Sequence, residues 1–190
     1  MSTNYQQTFY ESTADITNYP AQSGRVETKV CILGGGLAGL STALGLAERG
    51  INDVVVLESH SIGHGASGRN GGFVFGGYSL GNADLLATLG VEEAQHLYRL
   101  TLDAVELIRN RVKQYGIDCD LVDQGVILAN WFNDPSRLET PRKLMSDVYG
   151  VDWEYIPPGQ LKEILKTERY FGGLLERNAF HFHPLKYVYG

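Results

Sequence analysis

The chain has 190 residues, 43% of them apolar and 11% aromatic, with 22 acidic against 16 basic side chains and a formal net charge of −6. That length and apolar share suit one compact domain or part of a larger one. The acidic balance and the lack of a basic cluster argue against a nucleic-acid partner.

Residues 1–28 are polar and carry no basic-then-apolar leader, so an N-terminal extension on a cytoplasmic protein is expected. A first strand is predicted over about residues 29–33, a continuous apolar run that reads as buried on both faces. Gly34-Gly-Gly36-Leu-Ala-Gly39 follows and opens an Ala/Leu-rich helix expected over about residues 37–49. Arg49 and Gly50 supply the last-turn cation and the glycine just past the helix end. Asn52-Asp53 turns the chain into a second strand, Val54-Val-Val-Leu57, and Glu58 stands nineteen residues (58 − 39) beyond Gly39. A G-x-G-x-x-G between strand and helix, with an acid at that distance, is a βαβ unit suited to a dinucleotide. Gly34 permits the tight turn, Gly36 lets backbone approach a pyrophosphate, and Gly39 lets the helix pack close to the sheet. The helix N-terminus aims free N–H groups and a positive dipole end at the diphosphate. Glu58 is placed to accept hydrogen bonds from ribose hydroxyls, and its charge disfavours a 2′-phosphate, so FAD or NAD is expected over NADP. The uncharged run 30–47 is not read as a membrane span, because three consecutive glycines make a poor helix.

Ser59-His-Ser-Ile-Gly-His-Gly65-Ala-Ser-Gly-Arg-Asn-Gly-Gly72 comes next, a loop whose N–H groups are free to face an anion or a flat ring, with Arg69 as a cation. Composition alone does not separate this from a surface loop. After a turn-rich stretch to Gly81, a short helix is expected over 83–89 and a long one over 91–115, with an apolar stripe from Ala94 to Val112 and Gly116 as its stop. Residues 121–129 read as a strand interrupted near Gly125. A helix is expected from Pro135, at its first position, to about Tyr149, with Gly150 beyond its end. Strand is predicted over 153–156, helix over 158–165 and strand over 171–175. His183-Pro184 opens a last helix of about one turn, too short to be expected to bury a face. Only two parallel strands are evident, fewer than a doubly wound sheet needs.

Cys31 and Cys119 sit in apolar strand patterns and read as buried, reduced thiols. His181 and His183 lack carboxylate or cysteine company, so no metal site is expected; His183 reads as an N-cap-region residue. His60 and His64 belong to the loop after the second strand, either exposed or touching a cofactor. Tyr78, Tyr98, Trp131 and Trp153 are packing residues or, alternatively, an amine-binding aromatic set.

Gly-Gly-Gly-Leu-Ala-Gly39, Leu57-Glu58 and Gly65-Ala-Ser-Gly-Arg-Asn-Gly-Gly72 together resemble the FAD-dependent D-amino acid oxidase superfamily, in the form closest to γ-glutamylputrescine oxidase-like enzymes. Tyr10-Glu-Ser-Thr-Ala14, Tyr19-Pro20, Ile117-Asp-Cys-Asp120 with Gly125, Tyr170-Phe-Gly-Gly173 and His181-Phe-His-Pro-Leu185 are looser matches to the same branch. The resemblance implies an α/β fold: a Rossmann-type FAD/NAD(P)-binding domain with the start of an α+β substrate domain, truncated. The implied division is an extension over 1–28, the first part of the FAD-binding domain over 29–80, and a segment leading into the substrate domain over 81–190.

Carried over to these positions, the resemblance implies that Gly34, Gly36 and Gly39 lie under the FAD diphosphate and that Glu58 holds the adenosine ribose. Ser67, Gly68 and Arg69 are implied to contact the diphosphate or ribityl chain, and Asn70, Gly71 and Gly72 to run beside the isoalloxazine. The implied activity is oxidation of a C–N bond of an amine or amino acid, with a γ-glutamylputrescine-like substrate and oxygen or an electron carrier as acceptor. The flavin carries the chemistry, so no nucleophile or metal motif is needed and the catalytic residues stay unassigned. The rivals are a D-amino acid or sarcosine/glycine-type dehydrogenase, an NAD-linked Rossmann dehydrogenase, and a truncated, non-catalytic nucleotide-binding fragment.

Overall fold

A computed structural model describes residues 7–190. The first six residues of the expected N-terminal extension lie outside the described ones. The chain forms two compact units. One takes in the residues up to Gly72 together with Val112–Leu121 and Phe182–Gly190; the other takes in Phe73–Arg111 and Val122–His181.

The first unit is built on two parallel strands, β1 (Val30–Leu33) and β2 (Val54–Leu57), in register with Val30 beside Val54 and Leu33 beside Leu57. Helix α2 (Leu37–Ala47) connects them, with Gly50 beyond its end in the left-handed region (φ 78°). The short helix α1 (Phe9–Ser12) precedes them, closed by a Thr8–Glu11 capping box. One correction concerns burial. β1 is not covered on both faces: Leu33 is 81% exposed and Cys31 is exposed, and neither β1, β2 nor α2 holds a fully buried residue. An apolar run specifies burial only when neighbours supply it, and among the described residues β1 pairs with β2 alone. Cys119 is buried as expected, and both thiols are free.

A second correction concerns the last helix, α7 (Pro184–Tyr189). Despite its length it buries Pro184, Leu185 and Val188. Tertiary contacts supply what a single turn lacks: Leu185 and Val188 close over Gly63, and Leu185 also reaches Gly68. His183 caps this helix, accepting the Lys186 N–H on its side chain.

The second unit holds most of the large buried side chains. Helix α3 (Asn82–Leu89) leads into the long helix α4 (Val91–Tyr115), whose expected bounds match the observed ones. An antiparallel sheet is ordered β4 (Val126–Ala129), β6 (Gly173–Glu176), β5 (Glu154–Ile156). Helices α5 (Ser136–Leu144) and α6 (Pro158–Leu165) send Leu138 and Leu161 against Gly172 and Gly173 at the start of β6. The expected helix from Pro135 to Tyr149 divides: α5 stops at Leu144 and a π-helical turn, Met145–Tyr149, completes it. Pro135 is the N-cap, and Pro141 inside α5 withdraws one ladder donor. A two-residue pairing of β3 (Phe73–Val74) with β7 (Phe180–His181) lacks the periodicity that would announce it in sequence.

Candidate functional site

The chain leaves β1 at Gly34 with φ 106°, and the Gly34 N–H donates to Leu57 O at 2.8 Å, tying the turn to the end of β2. Side chains rarely adopt that φ, which accounts for the first glycine. Gly35 is buried; its N–H donates to Glu58 Oε2 at 2.7 Å and its carbonyl accepts the Gly63 N–H at 2.9 Å. Gly36 is the N-cap of α2 in extended conformation, with no side chain to offer the first turn. At Gly39 an added Cβ would collide with the Gly34 carbonyl oxygen, so the third glycine is what lets α2 start hard against the turn.

Glu58 has two functions in this geometry. Oε2 holds Gly35, and Oε1 accepts the His60 N–H at 2.9 Å and the Ser59 hydroxyl at 3.2 Å. The Gly35 hydrogen bond first, then those of His60 and Ser59, hold its carboxyl below the ordinary carboxylate range. The side chain keeps 19% of its surface exposed, which leaves a charged face on the strand's carboxyl end.

The loop after β2 folds back on α2. Ser67 lies in a single 3₁₀ turn, Ala66–Gly68, and its Oγ accepts the Leu37 N–H at 3.0 Å. Gly68 is buried, its N–H donates to Gly63 O at 3.0 Å, and a Cβ there would meet Leu185 Cδ1 at 2.7 Å. Asn70 Nδ2 donates to Ala66 O and Ser67 O, while Oδ1 accepts the Gly72 N–H at 2.8 Å. Gly72 has φ 70°, its carbonyl accepts the Phe182 N–H, and a Cβ there would clash with the Phe182 carbonyl. Gly68 and Gly72 are therefore fixed by packing, while Arg69 and Gly71 are exposed. His60 and His64 stack with centroids 4.3 Å apart and 7° between planes.

The residues singled out by sequence thus gather in one unit, at the carboxyl ends of β1 and β2. The cap made by Ser67 and the hold of Glu58 on Gly35 join residues 30 and 23 positions apart, which spacing within one element does not reveal. The aromatic set occupies differing environments. Tyr98 is 1% exposed, Trp153 Nε1 is buried without a partner among the described residues, and Trp131 is 53% exposed beneath the Arg169 guanidinium at 4.6 Å. Among the described residues no group of three His, Cys, Asp or Glu side chains is placed to hold a metal, and no helix is long and apolar enough to cross a membrane.

The residues present fit a dinucleotide. A helix N-terminus whose own N-cap, Gly36, has no side chain and whose Leu37 N–H is held by Ser67, open space beside Gly34 and Gly65, and an ionised, part-exposed carboxylate at Glu58 are suited in chemistry to a diphosphate and a ribose. Residues 29–190 match the model of the FAD dependent oxidoreductase family. The chain is 33% identical over 189 residues to gamma-glutamylputrescine oxidoreductase of Escherichia coli, covering 99% of this chain and 44% of that protein. It is 31% identical to the probable oxidoreductase OrdL of Haemophilus influenzae, covering 96% of this chain and 42% of that one. The chain therefore spans less than half the length of these relatives. Among solved structures, L-amino acid deaminase from Proteus vulgaris superposes with a TM-score of 0.68 at 22% identity, over 92% of this chain and 39% of that one. Glycine oxidase from Geobacillus kaustophilus gives 0.60 at 21% identity, over 85% and 42%. The fold and the glycine, acid and loop motifs agree with this match: the chain belongs to the FAD-dependent oxidoreductase family typified by D-amino acid oxidase.

Proposed function

We propose that this chain forms the nucleotide-holding part of an enzyme that oxidises a C–N bond of a small amine or amino acid, with a γ-glutamylputrescine-like compound as substrate. The carrying observation is the juxtaposition of the α2 N-terminus, the open turn at Gly34 and the ionised Glu58. The identity to the Escherichia coli protein supports the substrate class. Gly34 and Gly36 present backbone to the FAD diphosphate, and Gly39 keeps the helix close enough to do so. Glu58 receives the adenosine ribose on its exposed face while holding Gly35. Ser67 fixes the first turn of α2, Arg69 offers charge to the diphosphate or ribityl chain, and Asn70 holds Gly71 and Gly72 in the course taken beside the isoalloxazine. Gly68 contributes by letting that loop close on α7. Bound FAD supplies the acceptor for the hydride leaving the carbon next to nitrogen. Oxygen or an electron carrier takes the electrons onward, in the cytoplasm.

The experiment is the visible absorption spectrum of the purified protein, with heat release and identification of any chromophore. Bound or added FAD retained by the protein supports the reading and justifies an amine screen for peroxide or dye reduction. A protein that stays colourless with added FAD, both as this chain and in the complete polypeptide, overturns it.

A further inference from the structure

His183 joins the N-terminal arm to the rest of its unit. It is 7% exposed, and both ring nitrogens are engaged. The Lys186 N–H donates to Nδ1 at 3.1 Å, and Nε2 lies 2.9 Å from Thr13 Oγ1. Thr13 Oγ1 gives its own proton to Phe9 O at 2.8 Å, so toward His183 it accepts. Only a neutral ring with its proton on Nε2 satisfies both contacts. Tyr10 stands edge-on to the same ring at 4.8 Å. The arm also borders the loop after β2: Thr8, Glu11, Ser61, His64, Arg69 and Tyr189 line one cleft.

We propose that His183 is an acid-operated latch: in its neutral form it holds the arm of residues 8–16 against the loop of residues 61–69, and its protonation frees the arm and loosens cofactor retention. The second half rests on the FAD reading given above. A proton on Nδ1 would face the Lys186 N–H, which removes the cap of α7 and sets a cation at a helix N-terminus. The Nε2–H contact to Thr13 survives protonation; the arm is released because Tyr10 and Thr13 cover the ring, and an imidazolium buried beneath them regains water only when the arm lifts. Burial, then the Lys186 ammonium, holds the ring below its ordinary pKa, and Asp120 acts in the opposite direction. The groups facing it are Lys186 from α7, Cys119 and Asp120 from the segment after α4, and Tyr10 from the arm; Asp118 and Asp15 act on Lys186. The folded ring takes up its proton less readily than the unfolded one. The latch is therefore complete above the ordinary histidine range and is lost as pH falls below it.

The test follows amide hydrogen exchange over residues 8–16, corrected for its intrinsic pH dependence, from pH 8 to pH 5. FAD retention is read in parallel by equilibrium dialysis, in the natural sequence and in His183→Asn. Asparagine keeps a capping acceptor and does not titrate. The expected result is that arm protection and retained FAD fall together on acidification, approaching about tenfold per pH unit in the natural sequence, and stay flat in His183→Asn. Thr13→Val, which removes only the Nε2 partner, should leave the arm less protected already at pH 8. Protection that ignores pH in the natural sequence, or the same pH response in His183→Asn, overturns the latch. FAD retained while the arm opens overturns its link to the cofactor. Arm opening in a protein that binds no FAD at any pH supports the latch and rejects the cofactor reading instead.

Discussion

The Glu58 carboxylate accepts the backbone N–H of Gly35 at 2.7 Å, so the acid proposed to hold a ribose also fixes the turn proposed to carry the diphosphate. Glu58→Ala should weaken FAD binding by about 1–3 kcal/mol, since partner hydroxyls and the Gly35 amide lose their acceptor. Titration calorimetry on the FAD-binding protein checks this, and unchanged affinity would sink the assignment. The pH dependence has a definite sign. The folded carboxyl sits below its ordinary value of 4.5, so its contribution is present above that pH and is lost as pH falls through the lowered folded value. Thermal melts of natural sequence and Glu58→Ala should converge in acid.

Ser67 and Gly36 compete for one small space. Ser67 Oγ accepts the Leu37 N–H, and a Cβ on Gly36 would come within 2.9 Å of that oxygen. Ser67→Ala should cost about 1 kcal/mol through the lost cap. Gly36→Ala should displace the serine and cost a similar amount. The double variant should cost less than the two single costs added, because the second change removes an atom that the first already disturbed. Denaturant titrations of the four proteins give the coupling, and strict additivity would refute this account.

Two glycines of α2 should respond in opposite directions. A Cβ on Gly39 runs into the Gly34 carbonyl, which belongs to backbone and cannot swing away. Gly39→Ala should destabilise by about 1–3 kcal/mol. A Cβ on Gly45 meets only Arg49 Nη1, at 3.3 Å, the end of a flexible side chain. Gly45→Ala should stabilise by about 0.5–1 kcal/mol through helix propensity. Chemical denaturation distinguishes the two signs.

What could be read from sequence was whatever local pattern determines. The long stripe from Ala94 to Val112 set α4 at its observed bounds, and the spacing from Gly34 to Glu58 set β1, α2 and β2. Burial was misjudged at β1 because coverage belongs to neighbours, and at α7 because Gly63 and Gly68 provide a surface that its own residues do not announce. His183 was legible as a cap, but Thr13, 170 residues away, was not legible as its partner. The π-helical turn after α5 follows Pro141, whose missing donor interrupts the helix expected to run unbroken to Tyr149. The glycine, acid and loop spacing points to a nucleotide, whereas no residue pattern in the chain specifies a substrate.

Glu176 gives the last prediction. It is 5% exposed, and among the described residues its Oε1 accepts only the Gly76 N–H, at 3.3 Å, while the Tyr98 hydroxyl is buried without a partner. Burial raises the Glu176 carboxyl above its ordinary value of 4.5 and, with the nearby Glu176 charge, raises the Tyr98 phenol as well. A carboxyl whose folded pKa is raised contributes its full share to stability below the unfolded value, and that share is lost as pH climbs through the folded one. Glu176→Gln keeps an acceptor for Gly76 and removes the charge. Its stability relative to the natural sequence should therefore rise as pH increases from about 4.5, levelling off above the folded pKa. Tyr98→Phe removes a hydroxyl that satisfies nothing, so it should be close to neutral or slightly stabilising. Thermal melts from pH 4 to pH 9 check both. A Glu176→Gln protein that loses ground with rising pH would show that the carboxylate is the form the fold prefers.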